Sequence, residues 1–235
     1  VFFALTASFG FRLRKGDVTA AFLQGESTEL ERNVLCEPVK ELADNLNLKP
    51  WQVVRLRKAV CGLTNAPRRW WQHVAATTPS LGWTECIEPC FWKMLGPDGT
   101  VQGLCMVHVD DFLISLPDGT AAQQTLQALK QQYTWGSWEE KEFVMCGVNV
   151  KQEYRNGRYG RILIDQQAYC NDIDEVPVPP RSYDSQPLTE GQKKKTQLKG
   201  LFGSLQWVAS QSSPMIHCLL YTSDAADEGL GVDLG

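Results

Sequence analysis

Two apolar runs of strand length, residues 104–109 and 112–116, are separated by nothing but Asp110 and Asp111, and no other segment restricts the fold as strongly. Runs this short, rich in Leu, Val and Ile and split by two polar residues, predict a tight hairpin. In a straight strand neighbouring side chains point to opposite faces, so only a turn lets both carboxylates approach one place. Adjacent like charges repel, and a strand gains no stability by ending on two of them. Divalent cations remove that objection, because Mg²⁺ takes hard oxygen ligands at about 2.0–2.1 Å and neutralises clustered carboxylates. The bland alternative is a solvated acidic turn.

A third acid would complete such a cluster. Asp17 is the candidate: it ends a strand-like stretch over residues 11–18 and is followed by Val18, small residues and Phe22. Two strand ends of this kind become neighbours if their strands pair.

Further along, residues 51–60 alternate basic and apolar side chains as a half-buried strand does. Residues 66–77 carry a proline in the first turn and Trp70, Val74 and Thr77 at helical spacing, so a helix is expected, with Gly82 beyond its end. Residues 90–95 and 101–109 flank Gly96-Pro97-Asp98-Gly99, a turn signal that makes them a second hairpin. A helix is predicted over 121–133, and a hairpin over 143–164 broken at Asn156-Gly157. Four prolines in residues 177–187 predict an extended linker and a boundary near 180, followed by an amphipathic helix over 191–210.

The composition bounds what this chain does. With 235 residues and 43% apolar side chains it buries a core, in one large lobe or two small ones. A formal charge of −4 excludes a protein that holds nucleic acid by bulk positive charge, so any such contact is local. The eight cysteines form no CxxC pair and have no histidine at zinc-ligand spacing; they read as reduced, intracellular and mostly packed. His73, His108 and His217 enter no Ser-His-Asp or Cys-His pattern. No apolar run approaches the roughly 20 residues that span a bilayer, and no signal peptide opens the chain, so neither a membrane partner nor secretion is expected.

Three segments stand in order: Asp17-Val18-Thr19-Ala20-Ala21-Phe22-Leu23-Gln24-Gly25, then Cys61-Gly62-Leu63-Thr64-Asn65-Ala66-Pro67-Arg68-Arg69-Trp70, then Val107-His108-Val109-Asp110-Asp111. Together they resemble the reverse-transcriptase domain of Ty1/copia-type retrotransposon Pol polyproteins, with weaker similarity out to about His217. The resemblance implies an α+β fold, the palm of a right-hand polymerase, in which an antiparallel sheet is backed by helices. The fingers are partly missing and a connection or thumb-like segment begins. Its expected divisions are a palm over 1–175, a Pro-rich linker over 176–190, a post-palm helical segment over 191–217, and a non-native tail over 218–235 that looks like translated adapter sequence.

It further implies that Asp17, Asp110 and Asp111 are catalytic and, with Val18, hold two Mg²⁺ ions, Mn²⁺ being an acceptable substitute. Ala20, Ala21, Phe22, Cys61 and Gly62 would line the nucleotide pocket, Phe22 as a wall against a 2′ hydroxyl. Arg68, Arg69 and His108 are the expected nucleic-acid contacts, although paired arginines at a helix start are more often a solvated face. Trp70 and Trp71 are expected in the core. The implied partners are an RNA or DNA template with its primer, deoxynucleoside triphosphates and the rest of a Pol polyprotein. The implied compartment is the cytoplasm, a virus-like particle or the nucleus. The chain departs from the family at His108 and Cys61, where Tyr is usual, and at Thr64-Asn65, where Lys-Gln is usual. Two other readings stand beside this one: a degenerate remnant that keeps the fold and some nucleic-acid binding without catalysis, and a carboxylate metal-dependent nuclease.

Overall fold

A computed structural model describes residues 1–25, 33–176, 188–218 and 220. In chain order the elements are α1 (Phe2–Phe9), β1 (Arg12–Val18), α2 (Ala21–Gln24), β2 (Leu35–Cys36), α3 (Lys40–Asn45), β3 (Val54–Arg55) and α4 (Ala66–Thr77). A 3₁₀ turn, Thr78–Leu81, leads to β4 (Trp83–Glu85), β5 (Phe91–Leu95), β6 (Val101–His108), β7 (Asp111–Leu116) and α5 (Thr120–Lys130). Then come β8 (Trp135–Glu140), β9 (Glu142–Met145), β10 (Val148–Arg155), β11 (Arg158–Asp165), α6 (Gln167–Asn171) and α7 (Leu188–Gln211).

The main sheet has six antiparallel strands in the order β4-β5-β6-β7-β1-β8. Smaller sheets run β11-β10-β9 and β2-β3. The mixed α+β class with antiparallel sheets is as expected. By internal contacts the chain divides into two units, Val1–Lys141 with Gln152–Ile162, and Glu142–Lys151 with Leu163–Gly235.

Alternation along β1, β6 and β7 sorts the first unit's core. Val18, Cys105, Val107, Phe112, Ile114 and Leu116 pack against Trp70 and Val74 of α4 and against Ala122 and Leu129 of α5. Burying each of the larger of these apolar side chains stabilises the fold by about 1.5–3 kcal/mol. On the opposite face Leu13, Leu113 and Ser115 are fully buried. Beside them the Gln152 amide receives the Leu13 N–H and donates to the Phe11 carbonyl, both at 2.8 Å. The acidic ends of β1 and β7 emerge on that second face.

α4 forms over the predicted residues: Pro67 sits where no intrahelical donor is needed, and Trp70 and Val74 make its buried stripe. Thr78 bonds back to the Val74 carbonyl at 2.6 Å, and Gly82, at φ +84°, ends the following 3₁₀ turn. The hairpins over β5–β6, β6–β7 and β10–β11 are present, the last turning at Asn156 and Gly157, whose φ values of 52° and 76° suit a primed turn.

Several expectations are corrected. Residues 51–60 hold only the two-residue β3, because the alternating stretch finds no partner beyond β2 and leaves Trp51 exposed. The helix predicted to reach Tyr133 stops at Lys130, which frees Tyr133 to enter the core. The stretch from 143 begins with a separate strand, β9, and its hairpin with β10 turns at Cys146 and Gly147. Among the eight cysteines only Cys105 is buried, while Cys61, Cys146, Cys170 and Cys218 are exposed. Trp71 is exposed as well. The linker over 177–187 and the tail beyond 220 lie outside the described residues, and among the described residues no helix is long and apolar enough to cross a membrane.

Candidate active site

Antiparallel pairing of β1 with β7 puts Asp17 directly opposite Asp111, and pairing of β6 with β7 puts His108 opposite Asp111. Since register partners share a sheet face, these three side chains belong to the second face. The Asp110 carbonyl accepts the Val18 N–H at 2.9 Å, which ties the β6–β7 turn to the end of β1. The turn residues are Val109 and Asp110, one position earlier than the acid pair suggests, and Asp111 is already in strand. Val109 has φ 55°, a left-handed conformation that is costly for a β-branched residue and tends to persist only where its surroundings impose it. Here the Trp70 indole N–H donates to the Val109 carbonyl from α4.

Ala20 has the same unusual backbone, at φ 48°, as the residue that caps α2. Ala20 and Val109 line one cavity of about 150 Å³ together with Ala21, Phe22, Leu23, Val60, Cys61 and Asp110. All three sequence segments that carry the resemblance therefore meet at one cavity. Phe22 also lines a second hollow with Arg69, Trp70 and His73. Gln24 braces the loop: its amide donates to the Thr134 carbonyl at 2.8 Å and accepts the Thr134 N–H at 2.7 Å. Lys58 donates to the Leu23 carbonyl at 2.9 Å.

Not every expected residue converges. Gly62 stands outside this cavity lining, and its φ of 95°, with open space where a Cβ would be, shows that backbone conformation is what calls for glycine there. Arg68 is exposed at the start of α4. His108 also contributes to the lining of a different, apolar cavity with Pro67, Trp70 and Trp71. Val18 is 1% exposed and its side chain has no ligand atom, so its main-chain carbonyl is the one group it could offer a cation.

The acids are not bare. The Lys15 ammonium stands 3.1 Å from an Asp111 carboxylate oxygen and 3.5 Å from Glu139 on β8. Burial pulls the Lys15 ammonium down, but the hydrogen bond and charge of Asp111, with those of Glu139, outweigh it and hold the group above its ordinary value of 10.5. Among the described residues no three His, Cys, Asp or Glu side chains gather closely enough to enclose an ion. The donor set itself suits a hard cation, with carboxylates from paired strands and an adjoining turn at one sheet end. Nothing in the sequence pattern marks Lys15 or Glu139, because what brings them together is the pairing of β1 with β7 and β8. Behind the site, burial pushes the Cys105 thiol up, and it pushes the Tyr133 hydroxyl up to about 12.

Residues 1–176 match the family model described as "Reverse transcriptase (RNA-dependent DNA polymerase)". The chain is similar to the "Retrovirus-related Pol polyprotein from transposon RE2" of Arabidopsis thaliana, 29% identical over 203 residues, which is 84% of this chain and 14% of that protein. It is similar to the same extent to the "Retrovirus-related Pol polyprotein from transposon RE1" of Arabidopsis thaliana, 29% identical over 84% of this chain and 13% of that protein. It thus spans about one seventh of the length of these curated relatives. With three quarters of its length matched by one family, and that family's three ordered segments converging on one cavity, the chain belongs to the reverse transcriptase (RNA-dependent DNA polymerase) family.

Proposed function

We propose that this chain is the palm of an RNA-directed DNA polymerase of a copia-type Pol polyprotein, and that it extends a primer 3′ hydroxyl by nucleotidyl transfer. The observation that carries the reading is the register of Asp17 against Asp111, with Asp110 in the adjoining turn and the cavity of Ala20, Ala21, Phe22 and Cys61 opening beside it. Asp17, Asp110, Asp111 and the Val18 carbonyl would hold two Mg²⁺ ions, which supply charge neutralisation at the phosphate and activation of the attacking hydroxyl. Positioning and electrostatics suffice for such a transfer, so the chain needs no nucleophile of its own.

The protein's own residues set the rest. Phe22, half-buried on the one-turn helix α2, presents an aromatic wall that selects a sugar lacking its 2′ hydroxyl by shape. Trp70 and the Val18 N–H fix the turn that carries Asp110. Lys15 neutralises Asp111 in the chain as it stands. Arg68 and Arg69, near the start of α4, would meet template or primer phosphates, which position a duplex without reading its sequence.

Primer extension with the purified chain on RNA and DNA templates, with and without Mg²⁺, tests the proposal. Mg²⁺-dependent product that disappears in Asp110→Asn is expected. No product, either from this chain or from a longer Pol polypeptide that contains it, would reject it.

A further inference from the structure

β8 departs from regular pairing at one place, and that place faces Asp17. Along β1, Gly16 is opposite Trp138 and Val18 is opposite Trp135, so Gly136 and Ser137 together stand against the single residue Asp17. Two residues against one is a β-bulge, a device that bends a strand and re-aims the side chains beside it. A Cβ built on Gly136 would lie 2.8 Å from the Asp17 Oδ2 atom and 3.1 Å from the Thr19 hydroxyl oxygen. The Asp17 carboxylate therefore occupies the space that any other residue at 136 would fill. Gly136 has no left-handed φ to account for its glycine. A glycine inside a strand weakens it and often marks a close approach, here by the carboxylate.

We infer that Gly136 is a positioning residue: the bulge at Gly136-Ser137 is the seat of the Asp17 carboxylate and sets where Asp17 presents its oxygens to a divalent cation. The inference rests on the metal-dependent polymerase reading above. Its physical content is an asymmetry of response. The atom an added methyl would meet is the far end of a side chain, which turns away readily, so the fold absorbs Gly136→Ala. The site does not, because a ligand displaced from its set position binds its ion less well.

Two measurements on the whole chain test this. First, in metal-free protein, the ¹³Cγ resonance of Asp17 is compared between parent and Gly136→Ala, with Asp118 as the reference acid. The Asp17 signal is expected to move and the Asp118 signal to stay. Second, Mn²⁺ affinity is measured by calorimetry, with thermal unfolding of both proteins alongside. Binding is expected to weaken by about 10- to 100-fold, as when a group that orients a metal ligand is altered, with the melting temperature held or raised. An unmoved Asp17 resonance, an Mn²⁺ affinity equal to or tighter than the parent's, or loss of the folded state would each overturn the inference, the last by assigning Gly136 to packing alone. If the Asp17 signal moves but the parent binds no Mn²⁺, the seat stands and the metal reading falls.

Discussion

At the residue scale the site is a balance of charges at one end of a sheet. Lys15 reaches both Asp111 and Glu139, so a cation already occupies the neighbourhood of one expected metal ligand. Replacing it by Met removes one positive charge about 3–4 Å from the acids, which even at the dielectric of water is worth about 1 kcal/mol. Lys15→Met is therefore expected to tighten Mn²⁺ binding about five-fold or more in calorimetry; weaker binding would show that Lys15 supports the site. Tyr133 gives a separate test. Burial raises its hydroxyl to about 12 from 10.0, against the opposing effect of a hydrogen bond with Thr77. Because the folded value lies above the unfolded one, this contribution to stability is complete below pH 10 and is lost as pH rises toward about 12. Tyr133→Phe is expected to flatten the alkaline decline seen in denaturant titrations between pH 10 and 12. An unchanged alkaline slope would refute that assignment.

At the scale of elements, local periodicity made α4 and the β5–β6–β7 meander legible. A stripe at four-residue spacing with proline in the first turn reads as a helix without tertiary context, and so do short apolar runs around polar turns as hairpins. The exact turn was not legible: two acids between apolar runs suggest themselves as its tip, yet Val109 takes the left-handed position because Trp70 grips its carbonyl from another element. β8 was missed for a related reason. Its sequence, Trp135-Gly136-Ser137-Trp138-Glu139-Glu140, is broken by the bulge and never settles into strict alternation. The β1–β8 pair also carries an ionic clasp, in which buried Arg14 donates to Glu140 at 2.9 Å and Arg12 bonds the same carboxylate. Glu140→Ala leaves the Arg14 guanidinium without this partner, and a loss of about 1–3 kcal/mol is expected, read as a lower urea midpoint. A midpoint unchanged within error would mean that solvent satisfies Arg14.

At the scale of the whole molecule, an acidic chain of net charge −4 brings Asp17 and Asp111 together at one sheet end, where the proposed cations would bind. A cation that binds the folded state alone stabilises it by mass action, about 2.7 kcal/mol at 100 times its dissociation constant. Mn²⁺ at that excess is expected to raise the melting temperature of the parent and to leave Asp110→Asn unmoved; equal shifts in both would place the bound ions elsewhere. The amino-acid order made the local features legible: the acid pair between two strands, the helix over 66–77, the turn-bounded hairpins, and three ordered segments that identify a family. Neighbouring residues set these through backbone periodicity and turn chemistry. Long-range pairing alone sets Asp17 opposite Asp111, Lys15 between Asp111 and Glu139, and the Asp17 carboxylate in the space that a Cβ at Gly136 would take. Those facts come from strands distant in the chain pairing in one register, and from a gap the size of a methyl group, neither of which leaves a periodic trace in the sequence.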